Sequence, residues 1–157
     1  MSAFFADSRE HPFLLNVLER EKRGQMRKLI LPLKENHLFS KTYARGKSEV
    51  SKLCAVYIMR NFKRNPDGSP MKTKLGITVN RKLGKACKRN RVKRLIREAY
   101  RENYEYIKDG YIMIIAARAA AFAPHIKAQD MSRAFKKIVS KDDFFNIPKK
   151  PQKRQCV

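Results

Sequence analysis

The apolar positions change period several times along the chain, and each change marks an element. Val92, Leu95, Ile96 and Ala99 fall at i, i+3, i+4 and i+7. That spacing predicts a main helix over residues 86–108 with one face turned to a core, ended by Asp109-Gly110. Tyr111 to Ala117 is apolar without a break, the pattern of a buried central strand. Leu53 to Met59 is a second run of strand length. It puts Leu53, Ala55, Tyr57 and Met59 on one side and Cys54, Val56 and Ile58 on the other. Thr73, Leu75, Ile77 and Val79 alternate with Lys72, Lys74, Gly76 and Thr78, which predicts a half-buried strand antiparallel to the previous one. Asn65-Pro66-Asp67-Gly68 supplies a turn between the two.

Upstream, Pro32 suits the first position of a helix, where its missing N–H costs nothing. That helix is expected to run through Leu33, His37, Leu38 and Thr42 and to stop at Gly46. Phe39 and Tyr43, four apart, share one of its faces. A last helix over about 127–139 would turn Met131, Phe135 and Ile138 inward. Phe13, Leu14, Val17 and Leu18 suggest a short helix in an N-terminal appendage, followed by a charged linker at Glu19–Gly24. Met26 is the expected start of the native chain.

Charge changes the picture most. Lys and Arg number 37 against 14 Asp and Glu, a formal charge of +23. At 43% hydrophobic residues the chain still folds. So large an excess is best tolerated beside a polyanion, nucleic acid first and an anionic membrane surface second. No apolar run approaches the ~18–20 residues of a transmembrane helix. Cys54, Cys87 and Cys156 form no C-x-x-C pair and read as free thiols in a reducing compartment.

The excess concentrates in Lys88–Arg101, where seven of fourteen residues are basic and one is acidic. At about 100° per residue, Asn90, Lys93, Arg94, Arg97 and Arg101 span about 100° of arc opposite the apolar stripe, flanked by Arg89 and Arg91. A solvated basic face is common, but Glu98 alone cannot neutralise this one. Lys88, Arg89 and Arg91 also crowd the helix N-terminus, where the macrodipole disfavours cations. Arginine's planar fork suits phosphate. These residues point to a polyanion without choosing DNA or RNA.

The stretch Leu83-Gly-Lys-Ala-Cys-Lys-Arg-Asn-Arg-Val-Lys-Arg-Leu-Ile-Arg-Glu98 closely resembles the signature of the bacterial ribonuclease P protein family. Its core is Arg89-Asn90-Arg91 followed by Lys93, Arg94 and Arg97. Phe39, Tyr43 and Gly46, the run Leu75-Gly-Ile-Thr-Val-Asn-Arg-Lys82 and the run Tyr111-Ile-Met-Ile-Ile-Ala-Ala-Arg118 fit the family in order and spacing. The resemblance covers roughly residues 29–140, leaving 1–28 as an extension and 141–157 as a basic tail expected to be disordered. It implies an α+β fold, an α/β sandwich of a small mixed sheet with helices in the order α-β-β-β-α-β-α. It also implies a left-handed β-α-β crossover, where general rules favour a right-handed one.

The resemblance further implies two RNA-facing surfaces. The basic helix, with Lys88, Arg89, Asn90, Arg91, Lys93, Arg94, Arg97 and Arg101, would dock on the catalytic ribonuclease P RNA. Phe39, Tyr43 and Tyr57, with Lys52 near a phosphate, would line a cleft for the 5′ leader of precursor tRNA. By pattern alone those aromatics read as core; the resemblance reverses that reading. Stacking on unpaired bases is sequence-tolerant, as a general tRNA processor requires. The implied activity is endonucleolytic leader removal, with Mg²⁺ held mainly by the partner RNA, in the cytoplasm.

No catalytic or metal-ligating set is legible in the chain itself. The six aspartates are scattered, apart from Asp142-Asp143, and His11, His37 and His125 fit no relay. A ribosomal or other structural RNA-binding protein is the main alternative. DNA reading is disfavoured because Asn90 is the only uncharged base reader on the stripe. A membrane-surface helix lacks the aromatic face that role favours.

Overall fold

The computed structural model describes residues 30–141 and 144–145. In chain order the elements are β1 (Leu31–Pro32), α1 (Asn36–Arg45), β2 (Lys47–Val50), β3 (Cys54–Arg60) and β4 (Lys74–Thr78), then α2 (Ala86–Glu102), β5 (Tyr111–Ala117) and α3 (Ala128–Val139). After the two-residue β1 this is the expected α-β-β-β-α-β-α order, in an α+β fold.

The strands form one mixed sheet in the order β1-β4-β5-β3-β2. β5 is central, parallel to β4 and antiparallel to β3, which accounts for its unbroken apolar sequence. β4 and β5, parallel neighbours, are joined through α2 as a β-α-β unit. Register aligns Tyr57, Ile114 and Gly76 in one row across the sheet. The adjacent row of Val56, Ile115 and Ile77 faces the other way. The first face packs under α1, where Leu33, Ile112 and Ile114 are buried beside Leu38, Phe39, Tyr57 and Met59. On the second face, Cys54 and Ile115 meet Ile96 and Ala99 of α2 and Met131 and Phe135 of α3. Burial pushes the Cys54 thiol up, so it stays protonated and inert.

Several expectations are corrected. β3 and β4 run antiparallel, as expected, but do not pair, because β5 lies between them. Pro32 does not start a helix. It sits on an edge strand that tolerates a missing N–H, and the Leu33 amide donates to the Leu75 carbonyl at 2.9 Å. α1 therefore begins at Asn36. Glu35, just ahead of it, accepts a 2.8 Å hydrogen bond from Lys74, which holds its carboxyl below the usual range. Gly46 does end α1, but with φ −72°, so the left-handed region is not involved. A Cβ there would collide with the Thr42 carbonyl oxygen and lie 2.7 Å from that of Ile58.

α2 stops at Glu102 rather than running to 108. Asn103 is buried, and its side-chain amide donates to the Ala99 carbonyl and to Ser132 Oγ, both at 2.8 Å. That ties the helix end to α3. The folded domain also passes the expected boundary at residue 140. Phe144 and Phe145 are 1% and 5% exposed, and the Tyr111 hydroxyl donates to the Phe145 carbonyl at 2.9 Å. Readings of residues 1–28, the start at Met26 and the tail beyond Phe145 fall outside the described residues.

Candidate nucleic-acid interface

α2 divides as its periodicity requires. Val92, Ile96, Ala99 and Tyr100 are buried, Leu95 of the expected stripe is only half-buried, and Lys88, Asn90, Arg94 and Arg97 are exposed. Arg89, Arg91, Lys93 and Arg101 are half-buried at the margins of that face. Cys87, Asn90, Arg91, Lys93, Arg94 and Arg97 line an open groove of about 520 Å³. Among the described residues, no hydrogen bond or ion pair engages the side chains of Lys88, Asn90, Lys93, Arg94 or Arg97. A row of cations left this way has its strongest available partner in a polyanion.

Two candidates on this helix have other partners. Arg101 meets Glu98 at 3.2 Å, an exposed pair worth little. Arg91 donates to the carbonyls of Ala123, Pro124 and Ile126, at 3.3, 3.1 and 2.7 Å. It therefore fastens α2 to the segment that leads into α3. Arg91→Ala is expected to lower folding stability by about 1.5–3 kcal/mol, the range for hydrogen bonds to a charged group. Arg94→Ala should stay within about 0.5 kcal/mol, as surface changes do. Urea unfolding of the two variants separates the roles, and equal losses would overturn the assignment.

The second candidate set lies on the opposite side of the sheet. Phe39 and Tyr43 project from α1 toward the row that holds Tyr57 and Gly76. Tyr43 and Tyr57 meet edge to face with ring centroids 4.8 Å apart. A Cβ on Gly76 would lie 2.6 Å from Phe39 Cε1, so only glycine admits that ring. The Tyr43 hydroxyl donates to Thr78 Oγ1 at 2.9 Å while the residue remains 39% exposed. Val50, 57% exposed, faces Ala55 in register and so shares the face of Tyr57. Phe39, Tyr43 and Tyr57 thus form one partly exposed aromatic cluster on this face. Lys52 sits in the turn between β2 and β3, exposed, and no described contact joins it to the three rings.

Sequence reasoning missed Thr78, which holds Tyr43 in place. It also missed the role of Gly76, although a glycine inside a strand pattern is a signal of close approach. Among the described residues no group of three or more His, Cys, Asp or Glu gathers to hold a metal, and His37 and His125 are exposed. No described helix is long and apolar enough to cross a membrane.

Comparison with known proteins agrees in sequence and in fold. Residues 28–142 match the family model described as Ribonuclease P. The ribonuclease P protein component of Clostridium beijerinckii is 36% identical over 119 residues, covering 75% of this chain and 93% of that protein. Its counterpart in Clostridioides difficile is 40% identical over 112 residues, 71% of this chain and 90% of the relative. The solved structure of the Staphylococcus aureus RNase P protein superposes with a TM-score of 0.57 at 27% identity, covering 69% of this chain and 91% of that one. The Thermotoga maritima RNase P protein, at 24% identity, shares the fold with a TM-score of 0.59, over 69% of this chain and 94% of its own. With signature helix, sheet order and relatives in agreement, the chain belongs to the ribonuclease P protein family.

Proposed function

We propose that this chain docks on a catalytic ribonuclease P RNA through α2 and holds the single-stranded 5′ leader of precursor tRNA in the Phe39–Tyr43–Tyr57 cleft. The observation that carries the reading is the exposed cation row of α2, which has no partner among the described residues. Lys88, Arg94 and Arg97 serve RNA phosphates, with Asn90 among them and the half-buried Lys93, Arg89 and Arg101 at the margin. Arg91 aims the surface by fixing α2 against the following segment. On the other face of the sheet, Tyr43 and Tyr57 offer ring surface to unpaired bases, and Lys52 supplies a charge at the end of the strand. Opposite faces allow both RNAs to be held at once.

In this reading the chain supplies affinity and charge screening, not a nucleophile or metal ligands. Mg²⁺ would be held mainly by the partner RNA, where it would supply water activation and charge stabilisation. Neutralising phosphates with protein cations replaces part of the Mg²⁺ requirement for folding and substrate binding. A bacterial protein that acts on tRNA precursors would do so in the cytoplasm.

Cleavage of precursor tRNA by a bacterial ribonuclease P RNA, at low Mg²⁺ with and without this protein, tests the whole. Strong stimulation with the cut at the mature 5′ end is expected. Binding to that RNA without stimulation, while a family relative stimulates in parallel, would identify a structural RNA binder instead.

A further inference from the structure

The connection between β3 and β4 belongs to neither proposed surface, yet it is an ordered hairpin. The Asn65 amide donates to the Ser69 carbonyl and its side-chain amide to Ser69 Oγ, both at 3.0 Å. Gly68 turns the chain at φ 76°, in the region that favours glycine. At the base, the Asn61 amide donates to the Gly110 carbonyl at 2.8 Å and the Gly110 amide to the Met71 carbonyl at 2.7 Å. The Thr73 hydroxyl donates to the Lys108 carbonyl at 2.7 Å. Lys108 and Gly110 lie between α2 and β5, so the hairpin is fastened to the segment that leaves the C-terminal end of α2.

At 83% exposure, Phe62 in this hairpin is the most exposed large apolar side chain among the described residues. The Lys63 amide donates to Asn61 Oδ1 at 3.2 Å, a local turn that holds Phe62 outward. Arg60, Lys63, Arg64 and Lys72 are all exposed, and Asp67 is the one acid in the segment. Arg64 donates to the Gly68 carbonyl at 3.1 Å. Among the described residues no hydrogen bond or ion pair engages the side chains of Arg60, Lys63 or Lys72. An aromatic face in water stacks on an unpaired base, and cations beside it hold the flanking phosphates. An apolar protein partner would instead desolvate these cations without a counter-charge.

Strand alternation selects the RNA. Val56, Ile58 and Arg60 point to the sheet face that α2 and α3 cover, opposite Tyr57 and the aromatic cluster. The cations of the hairpin therefore begin on the helix-bearing side, where α2 presents its own row. Glu102, Glu105 and Asp109 lie in the chain between that row and the hairpin base, so the hairpin is a separate contact and not a continuation of the row. We infer that the hairpin is a second anchor for the catalytic RNA, stacking one unpaired nucleotide on Phe62 and holding the adjoining phosphates with Arg60, Lys63 and Lys72. The inference rests on the assignment of α2 to that RNA and adds a contact outside the signature helix.

Its test measures docking on ribonuclease P RNA alone, with no tRNA present. Phe62→Ala should weaken docking at least about fivefold, the lower end for one stacked base. Phe62→Trp keeps a stacking face and should stay near the parent. Arg60→Ala with Lys63→Ala should flatten the slope of log affinity against log salt by about 1.4, at ~0.7 for each phosphate of a single strand. Because the contacts are separate, the losses from Phe62→Ala and from Arg94→Ala with Arg97→Ala should multiply when combined. Chemical footprinting of the RNA should show one unpaired stretch losing its protection in Phe62→Ala while the remaining protection persists. The ring is exposed, so the thermal unfolding midpoint of Phe62→Ala should match the parent. In the reconstituted ribonucleoprotein, the preference for leader-bearing over mature tRNA should not change. Unchanged docking in Phe62→Ala, an equal loss in Phe62→Trp, or a loss confined to leader-bearing tRNA overturns the anchor. If the Arg94 and Arg97 double variant also spares docking, the α2 reading itself fails. If that variant weakens docking and Phe62→Ala does not, the hairpin alone is excluded.

Discussion

Arg94→Ala combined with Arg97→Ala should weaken docking on ribonuclease P RNA by about thirtyfold, taking each lost contact at about 1 kcal/mol. Both side chains are exposed on the face of α2 opposite its buried stripe, and neither has a described partner. Their removal therefore costs the fold little and the interface two cations. The salt dependence is the sharper reading. Each phosphate neutralised contributes about 0.7–0.9 to the slope of log affinity against log salt. The double variant should flatten that slope by roughly 1.5. Glu98→Gln removes the acid paired with Arg101 and leaves the row intact, so it should not weaken docking. Unchanged affinity and slope in the double variant would sink the assignment of α2 to the catalytic RNA.

Tyr43→Ala should lower affinity for leader-bearing precursor tRNA by roughly 5- to 150-fold, the span for one stacked base, and leave mature tRNA unaffected. The residue is 39% exposed and held by Thr78 and Tyr57, so its loss removes the ring without a large hole in the core. Tyr43→Phe keeps the ring and gives up only the 2.9 Å bond to Thr78, which should cost a fraction of the alanine effect. Phe39→Ala is less clean, because that ring fills the space above Gly76 and its loss also removes packing. Equal losses for precursor and mature tRNA would point to a folding defect instead of a leader site.

What could be read in the chain was what repeats locally. The i, i+3, i+4, i+7 stripe located α2 and its buried face because helix period and burial act on the same few residues. The same holds for α3, whose Met131, Phe135 and Ile138 are buried as their spacing requires. The unbroken run at Tyr111–Ala117 was legible as a central strand for a similar reason. β2 was harder to place on residues. Lys47-Ser-Glu-Val50 carries almost no apolar signal, and it is a strand because β3 offers it an edge.

Composition and order along the chain thus determined that the molecule is basic and carries one cationic helix face, which points to a polyanion. The resemblance named the family. Only the tertiary structure decided which strands touch. β5 enters between β3 and β4, and that choice turns on pairing energies between segments separated by a helix. It also decided which arginine is free. The sequence placed Arg94 in the basic arc and Arg91 at its flank and assigned both to RNA, but the carbonyls of Ala123, Pro124 and Ile126 arrive beside Arg91 and not Arg94. The aromatic cluster has the same origin. Phe39, Tyr57 and Gly76 come from three elements, and an aromatic becomes core or platform according to how much of its face the neighbouring elements leave uncovered. Periodicity is a property of one segment, whereas a site is a property of the surfaces that several segments share.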